Sequence, residues 1–448
     1  MSLHSLPMAG NTHKFQAPKG TRDFYPPAMA VRRYIESVWR EVSINHGFEE
    51  IDGPTFEHLE LYTAKSGPGI VSELFSFRRE GGDADYALRP EFTPTLARMY
   101  ASAAQTLPKP VKWFCIPNFF RAERPQRGRL REFFQWNADI IGDDSPSADA
   151  EVIAVTVGVL EKFGFTPDQV KVKISHRDVV RDLLMHLGIK EQDLQTTFEL
   201  IDRRDKIPDH EFEASLGQLG LSIDRIYDIK RLSGAPFEIG EEYQIAEYFE
   251  GVPKSGIESL ERLGSELRDR GLRPWCHYNF SIVRGLAYYT GTVFEVIAEG
   301  ERSVAGGGRY DKLVELVGGP LTPAVGIAMG DVVLRLILED RGLLGETEEY
   351  LPRPDVFVIS ALDDDGGQMR KLVADLRRSG LHARHSYRAT KNVGKLLGEA
   401  GKVRARFAVI LGKELEDGAV ALKDLESGDQ REVKVELLVQ TLKDALGK

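Results

Sequence analysis

Cysteine is almost missing from this chain: two in 448 residues, Cys115 and Cys276, far apart and outside any CxxC pair. That excludes a disulfide-stapled fold and a cysteine-built zinc site, and a reducing cytoplasm is the expected setting. Long apolar runs are missing as well. No stretch reaches the roughly 18 residues that a membrane helix needs, so no membrane contact is expected. Residues Met1 to Gln16 lack an apolar core behind a basic start and read as a flexible arm rather than a signal peptide. The ten histidines form no HxxxH or HExxH pair. The closest two, His382 and His385, sit among arginines, so no protein-bound metal is expected. Two phosphate-binding signatures are also absent. There is no GxxxxGK[ST] and no GxGxxG, which excludes a P-loop and a dinucleotide fingerprint.

What is present is ordinary globular material, with 42% hydrophobic and 29% charged residues, enough for two to four domains. Net charge is −10, which argues against a nucleic-acid partner only until its distribution is read. Residues 354–448 carry 17 basic and 15 acidic side chains, and within them Arg370 to Arg406 holds 11 basic and 2 acidic. Screening limits exposed charges to about 10 Å at 0.1 M salt, so such a stripe can bind phosphate whatever the total charge. It is equally compatible with a solvated helix face.

Along the chain, Val31, Tyr34, Ile35, Val38, Trp39 and Val42 follow helical spacing, with Gly47 as the stop. Two strands joined by a loop at Pro125 and Gly128 occupy 112–142. A largely helical segment is expected from about 171 to 270, with Val179, Val180, Leu183, Leu184 and Leu187 as one stripe. Strand character returns at 292–298, before Gly306-Gly307-Gly308. A proline-bearing linker at 346–354 precedes alternating strands and helices, the pattern of a small α/β domain. The organisation expected is therefore a 1–16 arm, a 17–345 α+β body with a helical insertion, and a 354–448 α/β tail.

The segment Phe119 to Gly142 carries the chemistry. Phe134, Trp136, Ala138 and Ile140 alternate with Phe133, Gln135, Asn137 and Asp139, giving one apolar face and one face of varied polar groups suited to a ligand floor. Just ahead lie Arg121, Arg124, Arg127, Arg129 and Arg131, five arginines in 11 residues. Forked, permanently charged groups so crowded repel one another unless an anion compensates them. A nucleoside triphosphate fits first, and nucleic-acid phosphate second.

Lys19-Gly20-Thr21-Arg22-Asp23, Leu88-Arg89-Pro90-Glu91, Phe120-Arg121-Ala122-Glu123-Arg124-Pro125-Gln126, Arg284-Gly285-Leu286-Ala287-Tyr288-Tyr289 and Gly307-Gly308-Arg309-Tyr310-Asp311 together resemble the histidyl-tRNA synthetase family, in its order, from about Lys19 to the end. The resemblance implies a class II catalytic body on an antiparallel sheet, a helical insertion and a C-terminal anticodon-binding domain. It implies ATP-dependent ligation of L-histidine to tRNA through histidyl-adenylate, with Mg²⁺, in a cytoplasmic homodimer whose interface includes Pro54.

By the same resemblance, Arg121 and Arg284 are catalytic, holding the ATP α-phosphate and the histidine carboxylate. Glu123 and Phe133 would contact and stack on adenine, and Arg129 would reach the outer phosphates. Glu91, Thr93 and Gln135 would grip the α-amino group. Asp139, Tyr288 and Tyr289 fall where the imidazole is bound, and Arg124 and Gln126 where the tRNA acceptor end passes. The glycine run implies close backbone approach to ligand.

Three positions depart from the family pattern. Ala287 replaces an aspartate, Asp139 replaces a glutamate, and Val333 stands where an arginine normally meets the γ-phosphate. Arg335 is about 200° around a helix from Val333 and does not substitute; Arg129, Mg²⁺ or Arg98 would have to. The alternatives are an inactive relative serving as the regulatory subunit of ATP phosphoribosyltransferase, or a histidine or tRNA sensor. The retained Arg121, Arg129 and Arg284 and the tail domain favour the ligase.

Overall fold

The computed structural model describes residues 15–66, 68–204, 207–234, 236–242, 245, 254–283, 289–298, 303–362 and 366–448. Two compact units divide the chain, Met1–Thr347 and Glu348–Lys448.

The first unit opens with α1 (Pro26–Asn45), begun by proline in its first turn and ended at Gly47 with φ 76°. A left-handed residue at that point suits glycine, which has no Cβ to clash. Strand β1 (Glu49–Glu50), β2 (Phe56–His58), α2 (Leu59–Ser66), β3 (Ser76–Arg78), β4 (Asp85–Leu88) and α3 (Thr93–Ala103) follow. Then come β5 (Val111–Cys115), β6 (Asn118–Phe120), β7 (Glu132–Ile141), α4 (Pro146–Lys162), β8 (Val170–His176) and α5 (Arg177–His186). The helices α6 (Leu194–Asp202), α7 (Asp209–Gln218) and α8 (Ile223–Leu232) lead through β9 (Phe237–Glu238) to α9 (Lys254–Asp269). The unit closes with β10 (Cys276–Tyr278), β11 (Thr292–Ala298), β12 (Ser303–Arg309), α10 (Leu313–Leu316), β13 (Ala324–Gly330) and α11 (Asp331–Asp340).

Ten of these strands form one sheet in the order β1-β5-β7-β13-β12-β11-β8-β10-β9, with β6 on the end of β7. Every pairing from β5 through β8 is antiparallel. One face is sealed by helices. Trp136 is fully buried there and donates Nε1–H to Ser43 Oγ of α1 at 2.8 Å. Phe134 meets Phe24 edge-on, with the Arg32 guanidinium 3.3 Å from its ring centre. Burying a side chain of Trp136's size contributes on the order of 2–3 kcal/mol, so the even positions of β7 fix which way the strand faces.

The helices of the insertion begin at Arg177, not 171. Residues 170–176 are β8, a strand of the main sheet whose Val170, Val172 and Ile174 are buried. Seven residue pairs bind it to β11, and β10 lies parallel on its other side. The expected stripe does bury Val179, Val180, Leu183 and Leu184 on α5.

The second unit contains β14 (Val356–Ser360), α12 (Gly367–Arg378), β15 (Ala383–His385), α13 (Val393–Lys402), β16 (Phe407–Leu411), β17 (Ala419–Asp424), β18 (Gln430–Lys434) and α14 (Val435–Leu446). Its sheet runs β15-β14-β16-β17-β18, with the first three strands parallel. Both faces are covered, one over Val356, Val358, Leu376 and Leu438 and the other over Phe357, Ile359 and Leu396.

Candidate active site

Paired residues of antiparallel strands point to the same face, so strand register lays out the open side of the main sheet. Asn137, Ala328, Gly306, Glu295 and Lys173 form one row across β7, β13, β12, β11 and β8. The middle of that row is glycine and alanine. The floor is therefore low at its centre and polar at both ends.

Three of the glycines are demanded by the neighbouring strands. A Cβ at Gly307 would run into the Gly326 carbonyl, and one at Gly326 into Asp139 Oδ1. Gly308 is closed off the same way by Thr292 O and Val293. Close backbone approach is real here, but at Gly307 and Gly308 it is to neighbouring strands. Only Gly306 has no atom nearer than 3.9 Å and borders both cavities.

Helix α6 stands beside this floor and borders two adjoining, half-open cavities of about 850 Å³ and 770 Å³. Arg121, Asp202, Ile282, Glu295 and Gly306 belong to the walls of both. Arg177 and Tyr289 line the first; Arg129, Phe133, Gln135, Lys173 and Val333 line the second. Their size suits a nucleotide with a small companion.

Arg121 follows β6 and is steered by Nε–H donation to Pro90 O at 3.3 Å, with its guanidinium 5.1 Å from the Phe133 ring centre. Beyond it, Gln126 and Arg129 close a turn through Gly128 at φ 76°. The turn brings Arg129 back onto Glu123, Nη1 to Oε2 at 2.5 Å. Arg131 donates Nε–H to the Glu123 carbonyl at 3.1 Å. Arg124, Gln126 and Arg127 are exposed, Arg127 against Asp340 at 3.1 Å. The loop thus settles part of its own repulsion internally, and a polyphosphate would compete with Glu123 for Arg129.

Asp139 is buried on the floor's own face, over Gly326, lines neither cavity, and accepts a hydrogen bond from Tyr310 O–H at 2.6 Å. Burial pushes its carboxyl up to about 7, against the pull of the Tyr310 bond. Tyr310 itself is pushed well up by burial and by the neighbouring Asp139 charge. Glu91 and Thr93 are half-buried at the start of α3 and lie on the wall of neither cavity. Arg89, fully buried just before them, donates to Gly53 O at 2.8 Å and Asn118 O at 2.9 Å, so it ties this loop to the Pro54 segment and to β6. Arg284, Ala287 and Tyr288 lie outside the described residues.

Four residues carry weight that sequence reasoning gave no role. Tyr310 lies in the Gly307–Asp311 motif, but its hydroxyl partner is 171 positions away. Glu295 and Lys173 are a register pair on the floor, and Lys173 makes no ion pair among the described residues. His176, kept neutral-leaning by burial, has a buried Nδ1 without a partner among the described residues. The β8 alternation Val-Lys-Val-Lys-Ile was the available signal for Lys173.

Near Val333 the structure narrows the options. Arg335 is paired with Glu339 at 2.8 Å, and Arg98 is held by Glu57 at 2.5 Å and lines neither cavity. Arg98 is thereby removed as a stand-in for the arginine that the resemblance implies in place of Val333. Among the described residues no cluster of three or more His, Cys, Asp or Glu is placed to hold a metal.

Comparison with known proteins adds an independent line. A family model described as histidyl-tRNA synthetase matches residues 20–331, and one described as anticodon binding domain matches 355–445. Histidine–tRNA ligase of Pyrococcus furiosus is 38% identical over 442 residues, covering 96% of this chain and 98% of that protein. The crystal structure of histidyl-tRNA synthetase from Nostoc sp. PCC 7120 superposes with a TM-score of 0.80 at 26% identity, covering 96% of this chain and 99% of that one. A Bacillus halodurans structure titled as an ATP phosphoribosyltransferase regulatory subunit/histidyl-tRNA synthetase has a TM-score of 0.71 at 22% identity, over 87% of this chain and 97% of its own, a likeness of fold alone.

Proposed function

The chain belongs to the histidyl-tRNA synthetase family, and from that premise we infer that it ligates L-histidine to its tRNA at the expense of ATP. The observation that carries the reading is Arg121, set between Phe133 and the Pro90 carbonyl on the shared wall of two cavities over a bare sheet floor. The histidine carboxylate attacks the ATP α-phosphorus in line, forming the carboxyl–phosphate bond as the bond to pyrophosphate breaks. No base is needed, because the carboxylate is already ionised near pH 7. Charge grows on the phosphoryl oxygens, where Arg121 acts by fixed electrostatics and Arg284 takes the catalytic role that the family resemblance implies. The terminal ribose hydroxyl of the tRNA then attacks the acyl carbon and AMP leaves.

Phe133 is the adenine-stacking surface and Arg129 the cation for the outer phosphates. Gln135, with Glu91 and Thr93, takes the α-amino group. Asp139 accepts from the imidazole N–H on the oxygen that Tyr310 leaves open, beside Tyr289, and Tyr288 keeps the imidazole-binding role that the family resemblance implies. A site that pairs a buried polar group in this way can reject analogues by about 10⁴–10⁵. Magnesium binds through one or two carboxylates plus substrate phosphates. Glu295 and Asp202, both on the cavity walls, would hold it there, where it would neutralise phosphate charge.

The assembly proposed is a homodimer. Next to the exposed Pro54, Phe56 and Phe77 are 47% and 43% exposed and stack with Tyr86, an apolar surface that a second copy would cover. The setting proposed is the cytoplasm, where tRNA is charged; among the described residues no helix is long and apolar enough to cross a membrane. The regulatory alternative is less supported, since histidine–tRNA ligases match along nearly the whole chain, tail included.

The deciding test is ATP–pyrophosphate exchange with each of the 20 amino acids. Exchange with histidine alone is expected. Silence with all of them, from folded protein, would leave a regulator or sensor.

A further inference from the structure

Exposed apolar side chains are scarce in the second unit. Among its described residues only Tyr387 and Leu437 are large, hydrophobic and exposed, and Tyr387 is 89% open. Nothing in the packing of the unit requires a phenol ring there.

The segment that carries it is nevertheless well pinned. It leaves the carboxyl end of β15, where the His385 ring lies 4.6 Å from the Tyr387 ring. Ser386 Oγ–H donates to Glu399 of α13 at 2.8 Å and accepts the Arg388 backbone N–H at 3.1 Å. Thr390 Oγ1 accepts the Asn392 N–H, and Asn392 caps α13 through the Lys395 N–H at 3.0 Å. A tyrosine on such a loop is presented at low entropic cost to whatever binds it.

The charge around it has one sign. Arg384, Arg388 and Lys395 are exposed, and none forms an ion pair among the described residues. Strand order explains why the unit's near-neutral total hides this. The edge strand β15 and its flanking helices hold the basic stripe, whereas Glu414, Glu416, Asp417, Glu426, Asp429 and Glu432 sit around β17 and β18, on the other side of the sheet. In parallel α/β sheets, ligands are met at the carboxyl ends of the strands, which is where Tyr387 stands.

An exposed ring backed by a second ring, within a patch of unpaired cations, fits the two parts of a single-stranded nucleotide: a flat base to stack and a phosphate to neutralise. We propose that Tyr387, backed by His385 and flanked by Arg384 and Arg388, is the platform on which one unpaired base of the tRNA anticodon loop stacks. This rests on the reading that tRNA is a substrate of the chain.

The test uses the full chain with Tyr387→Ala and Tyr387→Phe, and fluorescence anisotropy with two labelled RNAs. One is the anticodon stem-loop of the histidine tRNA, and the other the same stem closed by a tight tetraloop. Losing one base–aromatic stack should weaken stem-loop binding by roughly five- to 100-fold in the alanine variant. The phenylalanine variant should stay within about twofold, since it keeps the ring. The tetraloop RNA should bind native and alanine chains alike. Equal stem-loop affinity of native and alanine chains overturns the proposal, and so does an equal loss on the tetraloop RNA. Pyrophosphate exchange, run beside it without RNA, reports on the ligase reading separately.

Discussion

The two sheets of this molecule solve opposite problems. In the first unit one face of the sheet is sealed by helices and the other is left as a floor, with Gly306 and Ala328 at its centre and Asp139, Gln135, Glu295 and Lys173 around them. In the second unit both faces are spent on core, so only strand ends and edges remain for recognition. Chemistry on a small molecule needs enclosure and fixed dipoles, which a roofed sheet face supplies. Reading an RNA needs reach and exposed charge, which an edge supplies. The same material, alternating apolar and polar residues, gives either result according to whether the second face is covered.

The sharpest way to break this division is at the floor. Arg121→Ala should lower histidine-dependent pyrophosphate exchange by about 10³-fold or more, the scale of losing a preplaced charge at a phosphoryl centre, while the melting temperature stays unchanged. Exchange at the native rate would remove Arg121 from the chemistry.

A second test works on the covered sheet. Leu376, on α12, is fully buried in the core that α12 and α14 share with the sheet, and truncating such a side chain typically costs about 2–5 kcal/mol. Leu376→Ala should therefore lower the melting transition of the second unit, followed by calorimetry, and depress tRNA charging. Pyrophosphate exchange below that transition should be unchanged. If exchange falls in step with charging, the two sheets are not separate in function.

The contrast was only partly visible in the sequence. The alternation on β7 is strictly local, with period two, and it announced both the sealed face and the floor. The arginine cluster was equally plain, because like charges in 11 residues need no structure to be noticed. Strand β8 was hidden although Val170, Val172 and Ile174 alternate with Lys171 and Lys173. No glycine or proline separates it from the helix that follows, so its pattern merged into that helix. The Asp139–Tyr310 bond and the Glu295–Lys173 pair depend on register across strands far apart in the chain, which no local pattern encodes. The glycine run stands out in the sequence, but the adjoining strands that crowd Gly307 and Gly308 do not.

Asp139 offers a test that reads stability and function in opposite directions. Its carboxyl sits at about 7 in the folded chain because burial disfavours the charge, above the 3.8 of an unperturbed aspartate. Its contribution to stability is complete below pH 4 and declines as pH rises to 7, since the unfolded chain ionises first. Asparagine does not titrate. Asp139→Asn should thus melt above the native chain at pH 8, with the gap closing toward pH 4, while histidine-dependent exchange falls by roughly tenfold or more for the lost charged acceptor. A melting difference independent of pH would mean that Asp139 does not carry the buried charge.

The smallest effect expected is at Val333, where the family resemblance leads to the expectation of an arginine. Val333 is the third residue of α11 and faces the cavity that holds Arg129 and Lys173. Val333→Arg adds a donor for the outer phosphates, and a hydrogen bond to a charged group is worth about 1.5–3 kcal/mol. Two terms oppose it. A cation in the first turn of a helix is unfavourable by about 0.3–1 kcal/mol, and a long side chain loses up to about 2 kcal/mol of rotamer freedom when it is held. The balance is a gain near 1 kcal/mol or less, so the KM for ATP should fall by roughly fivefold at most, with the KM for histidine unchanged. A fall of a hundredfold would mean that the native cavity leaves the γ-phosphate without a cation. A KM for ATP that does not move would mean that Lys173 and Arg129 already fill that place, and Lys173→Met should then raise it.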